Sequence, residues 1–374
     1  LDLPLVVFVS LIRWTLMTPA SQGRLMFSAI AAICALLALG LAQWIPSGAR
    51  RIGTGALAGA LCIVAAVVPF RVIGPVYAPP PLLDSAAIAA VPNRLDVTFG
   101  SGITLAGYRL ETDSVQPGGR VPVTLYWESS AQVDQDYSVF VHLLAENDLV
   151  IAQRDTYPGR GTRPTGAWIP SEAFADTIVL DVPPTAYAPS EAQIELGMYD
   201  FDSGARLPAT DASGRPIGDN VRFGHIAVEP APGSDIPNPV DFSFEGLVKL
   251  SGYQLDQRAA RPGERIDLTL YWQALQPLSE DFTVFTHILG DNETIWAQKD
   301  GQPQDGLSPT SSWTPGMLIE DRYELLLRTD TPPDVYEIEV GMYRSGTGRR
   351  LGVLGEQGRL DADHVVLTTA RVLP

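Results

Sequence analysis

One internal repeat constrains this chain more than any other feature. Leu105-Ala-Gly-Tyr108 returns as Leu250-Ser-Gly-Tyr253, Leu125-Tyr-Trp127 as Leu270-Tyr-Trp272, and Val139-Phe-Val-His142 as Val284-Phe-Thr-His287. Ala152-Gln-Arg-Asp155 returns as Ala297-Gln-Lys-Asp300, Pro164-Thr165 and Trp168 as Pro309-Thr310 and Trp313, and Asp176 as Asp321. All lie 145 residues apart, and residues 105–182 hold 28 identities in 78 ungapped pairs with their counterparts. After one deletion the offset is 144, where Gly197-Met-Tyr199 meets Gly341-Met-Tyr343. Self-similarity at a fixed spacing marks one unit used twice. The sequence therefore predicts two homologous domains, 94–229 and 240–374, joined by a Pro- and Gly-rich linker over 230–239.

Each copy reads as β-sheet. Val121-Pro-Val-Thr-Leu-Tyr-Trp127, Ile266-Asp-Leu-Thr-Leu-Tyr-Trp272 and Tyr137-Ser-Val-Phe-Val-His-Leu143 alternate apolar and polar residues at period two. Turn signals stand at Pro117-Gly118, Pro262-Gly263, Glu146-Asn-Asp148 and Asp202-Ser-Gly204. Many short strands with no helical period predict two tandem antiparallel β-sandwiches, with an Ig-like and a jelly-roll connection both open. Trp127 and Trp272 fall on the core side of their strands. Tyr108 and Tyr253 are expected at a strand end, each hydroxyl reaching a backbone partner.

The first quarter of the chain is physically different. Leu25 to Ile45 is 21 residues without a formal charge, and Ile52 to Phe70 is 19 more. At 1.5 Å per residue each reaches roughly 30 Å, the thickness of a bilayer core. The pair predicts a transmembrane α-helical hairpin over 25–71, with Arg50 and Arg51 in its turn. The positive-inside rule puts those arginines in the cytoplasm and everything after about Arg71 outside. A Pro-rich connector, 72–93, follows. Residues 1–24 read as the tail of an earlier membrane helix and an outer loop, which makes the chain the C-terminal piece of a longer polytopic protein.

Charge supports the division. The 26 basic and 43 acidic residues give a net charge of −17, and the part after residue 90 carries −20 of it against +3 before. So acidic a surface excludes a general nucleic-acid binder, because nothing could neutralise a run of phosphates. Two cysteines, Cys34 and Cys62, supply neither a disulfide framework nor a thiolate metal site. No metal ligand set and no cofactor motif emerges.

Several residues invite a chemical reading beside a plainer one. His142 and Asp155, and their counterparts His287 and Asp300, meet if their strands form a hairpin. Such pairs suit acid–base work, or they lock a strand end. No serine nucleophile elbow accompanies them, and no catalytic residue can be nominated. Trp168 and Trp313 each sit in a polar, Pro-rich loop, where an indole stacks on a sugar ring or plugs one end of the sandwich. Asp200, Asp202 and Asp211 cluster near turns without matching a calcium loop. Arg24, beside Gln22 and Gly23, stands at the outer membrane interface. It is open to a lipid phosphate or pyrophosphate, or to ordinary snorkelling.

The segment Arg13-Trp-Thr-Leu-Met-Thr-Pro-Ala-Ser-Gln-Gly-Arg-Leu-Met-Phe27, followed by an Ala- and Leu-rich helix, resembles the late membrane region of bacterial polytopic glycosyltransferases. These belong to the GT-C superfamily of dolichyl-phosphate-mannose and lipid-linked aminoarabinose transferases. The resemblance covers about residues 10–45 and implies a polyprenyl-phosphate sugar donor at the outer membrane face, with Gln22, Gly23 and Arg24 near its phosphates. The superfamily's catalytic acidic residues lie in an early outer loop, and here Asp2 is the only acidic residue before Asp84. The expectation is therefore a non-catalytic C-terminal region. Its partners would be the lipid bilayer and lipid-linked sugar or envelope glycan contacted by the extracytoplasmic sandwiches. A structural or protein-interaction spacer and an envelope hydrolase are the alternatives. Exposed Trp168 and Trp313 would favour glycan binding, and buried ones a spacer.

Overall fold

The computed structural model describes residues 40, 46, 48–355 and 360–374. The expected outer loop with Gln22, Gly23 and Arg24, and the first uncharged run apart from Gly40, lie outside the described residues. The chain divides into two compact units, 1–78 and 79–374.

In the first unit, α1 (Arg50–Val68) is built from Ala, Leu, Ile and Val and carries no acidic residue in its first turn. Pro69 cannot donate a backbone hydrogen bond, and a π-helical turn, Pro69–Ile73, begins there. Residues 51–72 form a helix long and apolar enough to cross a membrane. Its apolar side chains, Leu61, Ile63 and Phe70 among them, are exposed.

The second unit opens on a short helix, α2 (Ser85–Ala89), capped by Asp84, whose Oδ1 accepts the Ala87 N–H at 2.8 Å. The rest is β-sheet. One six-stranded sheet runs β10 (Pro216–Gly218), β9 (Ala209–Thr210), β1 (Asn93–Phe99), β2 (Ile103–Leu110), β4 (Arg120–Ser129), β7 (Ala173–Asp181). A five-stranded sheet runs β3 (Ser114–Val115), β11 (Asn220–Val228), β8 (Ser190–Asp200), β5 (Tyr137–Leu144), β6 (Val150–Thr156).

The same order returns strand for strand. The next six-stranded sheet is β21 (Leu360–Ala362), β20 (Val353–Leu354), β12 (Pro239–Phe244), β13 (Val248–Leu255), β15 (Arg265–Ala274), β18 (Leu318–Leu326). Its partner is β14 (Ala259–Ala260), β22 (Val365–Val372), β19 (Val335–Arg344), β16 (Phe282–Gly290), β17 (Thr294–Gly301). Pairing is antiparallel except at β3–β11 and β14–β22. Each hydrophobic core draws on both sheets of its pair, with Trp127 at the centre of one and Trp272 of the other. This is a β-sandwich-rich fold, and alternation at period two builds it: every second side chain turns inward.

The Leu-x-Gly-Tyr motif has a local cause. In both copies the register between paired strands slips at this point, between Leu105 and Gly107 and between Leu250 and Gly252. A Cβ on Gly107 would lie 2.1 Å from the Asn93 carbonyl oxygen, and one on Gly252 would lie 2.7 Å from that of Pro237. Only glycine lets the incoming chain pass so close to the bulge. Of the tyrosines that follow, Tyr253 reaches the expected backbone partner and Tyr108 does not. Tyr253 is fully buried and its hydroxyl donates to the Thr185 carbonyl at 2.6 Å. Tyr108 instead packs on Phe223, ring centroids 4.3 Å apart, with no hydroxyl partner among the described residues.

Tyr253 and its neighbours also tie the two sheet pairs together. Tyr187 donates to Leu255 O at 3.0 Å, and Asn238 bridges by accepting from Ala188 N at 2.7 Å and donating to Tyr253 O at 3.2 Å. The linker thus ends in buried hydrogen bonds between the pairs.

Candidate functional site

The histidine–aspartate pairs form, twice, on the outer face of the five-stranded sheets. Core residues Val139, Val141 and Leu143 point inward from β5, so Phe140 and His142 point outward. In the β5–β6 hairpin Phe140 faces Asp155 and His142 faces Gln153, which sets Asp155 diagonally beside the histidine. His142 Nε2 lies 3.7 Å from Asp155 and Nδ1 lies 3.6 Å from Glu195 on β8. In the second copy His287 lies 3.7 Å from Asp300 and 3.9 Å from Glu339.

Each acid already has a second donor. Tyr199 donates to Asp155 at 2.9 Å and Tyr343 to Asp300 at 3.3 Å. Arg222 holds Glu195 at 3.0 Å, and Arg350 holds Glu339 at 3.4 Å. Burial drives the His287 imidazole below its usual pKa despite the nearby carboxylates of Glu339 and Asp300. Burial and the neighbouring carboxylates push the Tyr199 and Tyr343 phenols up.

A glycine and an arginine complete the cluster. A Cβ on Gly197 would stand 2.3 Å from Phe140 Cζ, and one on Gly341 at the same distance from Phe285 Cζ. The bare backbone is the bed on which each ring lies. Arg206 covers Phe140 at 4.5 Å and Arg350 covers Phe285 at 4.2 Å. Glu195 is 8% exposed and Phe140 3%, while the Asp155 carboxylate stays open to solvent. At 3.6–3.9 Å the histidines lie beyond hydrogen-bond reach of the carboxylates, and the cluster packs side chains of three neighbouring strands together.

The tryptophan platform is corrected by the structure. Trp168 and Trp313 are each 2% exposed. Trp168 lies against Trp127 and meets Phe174 edge-on at 4.9 Å, and its indole N–H donates to Arg163 O at 2.9 Å. Trp313 donates to the Ser308 carbonyl and hydroxyl at 3.1 and 2.9 Å. Neither ring has a free face for a sugar. Each closes its core because a polar loop is ordered only by anchoring apolar area.

The Asp-rich turns bind their own backbone. Asp211 accepts from Ser213 Oγ at 2.6 Å, Ser213 N at 2.9 Å and Arg215 N at 3.0 Å, which lowers its pKa to about 2, the serine hydroxyl contributing most. Asp200 likewise accepts from Ser203 N at 2.8 Å. Among the described residues no group of three or more His, Cys, Asp or Glu could hold a metal ion.

Sequence reasoning registered Asp176 and Asp321 as a repeat but gave them no role. Both are buried, on the inward, otherwise apolar faces of their strands. Asp176 accepts the Gly159 N–H at 2.7 Å, and Asp321 the Gln304 N–H at 2.7 Å and the Tyr323 hydroxyl at 2.5 Å. Each clamps a tight turn, Pro158–Gly161 or Pro303–Gly306, onto the sheet. Burial raises both carboxyl pKa values above the usual 3.8. An acid on the apolar face of an alternating strand was the available signal.

No family model and no curated protein matches the chain. Among solved structures, the collagen adhesin (CNA) from S. aureus aligns over 76% of this chain and 96% of its own at 6% identity, with a TM-score of 0.21. That likeness is too low to carry an argument about function.

Proposed function

We propose that this chain is a membrane-anchored, non-catalytic structural region: an apolar helix in the bilayer and two tandem β-sandwiches, 94–229 and 240–374, on the extracytoplasmic side. The observation that supports a spacer over a glycan platform is the burial of Trp168 and Trp313. The repeated Trp168 and Trp313, and Asp176 and Asp321, each spend their polar atoms within their own copy. The hydrogen bonds through Asn238, Tyr187 and Tyr253 make the pair a stiff extension. A polytopic transferase of the GT-C kind as the parent belongs to the same proposal, on the resemblance of Arg13 to Phe27.

Orientation follows from Arg50 and Arg51 on the cytoplasmic side. The test is surface labelling of the chain in cells, with Cys34 and Cys62 replaced by serine and a single cysteine placed at exposed Ser213. A membrane-impermeant maleimide labels Ser213→Cys on intact cells if the reading is right. Labelling only after lysis overturns it.

A further inference from the structure

The duplication separates side chains that build the fold from side chains that do something else, because the fold needs the first kind in both copies. The turn clamped by Asp176 and the one clamped by Asp321 have the same backbone. Gly159 and Arg160 sit at φ 63° and 55°, and Gln304 and Asp305 at 55° and 53°. The side chains around these turns do not match. Arg154, Tyr157, Arg160 and Phe201 of the first copy stand where the second has Lys299, Gln302, Asp305 and Ser345.

In the second copy this region is neutralised from within: Lys299 Nζ lies 3.4 Å from Asp305. In the first copy two shallow depressions, of about 270 and about 200 Å³, adjoin at Thr156 and Arg160, which line both. One is basic, lined by Arg154 and Arg160, and neither arginine forms an ion pair among the described residues. Arg120 at its edge is paired with Asp181 at 2.9 Å. The other is aromatic, lined by Tyr157, Tyr199 and Phe201. Phe201 is 64% exposed, and its ring centroid lies 6.5 Å from that of Tyr157 at an interplanar angle of 46°. Asp155 sits at this end as well.

Two unpaired guanidinium groups on so acidic a surface offer forked donors to an anion. Two tilted aromatic faces next to them suit the apolar face of a sugar ring, and Asp155 can accept from its hydroxyls. We propose that this groove binds an acidic saccharide, its ring on Tyr157 and Phe201 and its carboxylate or phosphate on Arg154 and Arg160. This function goes beyond the structural role proposed above and does not depend on it.

The test is calorimetric titration of the full chain in detergent micelles with four probes: tetragalacturonate, glucose 6-phosphate, maltotetraose and inorganic phosphate. An acidic sugar binds, the binding weakens as salt rises, and maltotetraose does not bind. Whether tetragalacturonate or glucose 6-phosphate binds tells carboxylate from phosphate. Arg160→Asp and Phe201→Ser, each the second copy's residue, lower the affinity at least about tenfold, or ~1.4 kcal/mol. Lys299→Gln leaves it unchanged. Denaturant unfolding confirms that the variants fold. The proposal is overturned if neither acidic sugar binds, if maltotetraose binds equally well, if inorganic phosphate alone binds as tightly, or if the folded variants bind like the parent.

Discussion

The two sheet pairs of this chain share one strand order and one set of buried anchors, yet their surfaces carry different chemistry around the clamped turns. Trp168 matches Trp313, Asp176 matches Asp321, and the Phe–His–Asp–Glu–Tyr cluster is present twice. Around the clamped turns the first copy presents unpaired arginines and open aromatic rings, whereas the second presents a lysine–aspartate pair. The comparison teaches that repetition within a chain reports on architecture. A chemically distinctive residue that occurs in both copies, such as His142, is for that reason more simply a fold requirement than a site.

The largest effects are expected where the copies agree. Trp313→Ala and Trp168→Ala should each cost about 3–5 kcal/mol in urea unfolding of the full chain, through the cavity left in a closed core. Trp313 should sit at the higher end, because it gives its N–H to two oxygens of Ser308 where Trp168 bonds only Arg163 O. A loss below about 1 kcal/mol at either position would mean that the loop is held by something else.

Next come Gly341→Ala and Gly197→Ala. The new methyl would meet a phenylalanine ring at 2.3 Å and force it off the sheet, at about 1–3 kcal/mol, equally in both copies. Unequal losses would show that the two rings are not equivalently bedded.

Smaller effects come from titration, with opposite signs at two sites. Asp321 has a raised pKa, so the folded state keeps a proton that the unfolded chain has released. Its contribution is full below the ordinary value of 3.8 and is lost as pH rises through the folded value. Asp321→Asn removes that decline. His287 has a lowered pKa, so its contribution is full above 6.5 and is lost as pH falls through the folded value. His287→Gln should therefore flatten the loss of stability on the acid side of 6.5. Unfolding curves across pH check both, and slopes identical to wild type would remove these groups from the account.

The strands and the duplication were legible because each rests on a repeat along the chain, and the apolar helix because a long uncharged run shows in composition alone. The closeness of His142 to Asp155 was also legible, since a hairpin fixes it. The direction of Trp168 was not, because a loop position says nothing about which way an indole turns. The Asp176 clamp was half-legible: its inward position could be read, but its partner, the Gly159 amide, depends on a turn with left-handed residues. The groove was hidden for a different reason. Tyr157 and Phe201 lie 44 residues apart and are brought together only by the β5–β6–β8 pairing, and a search for identities passes over positions where the copies differ.

The central claim is that the shared side chains build the fold while the groove residues do not. Denaturant unfolding of the full chain carrying Arg154→Lys, Tyr157→Gln, Arg160→Asp and Phe201→Ser together tests it most directly. The first groove, rewritten as the second, should leave the unfolding free energy within about 0.5 kcal/mol of the parent. A loss of several kcal/mol would place those residues in the scaffold and contradict the claim.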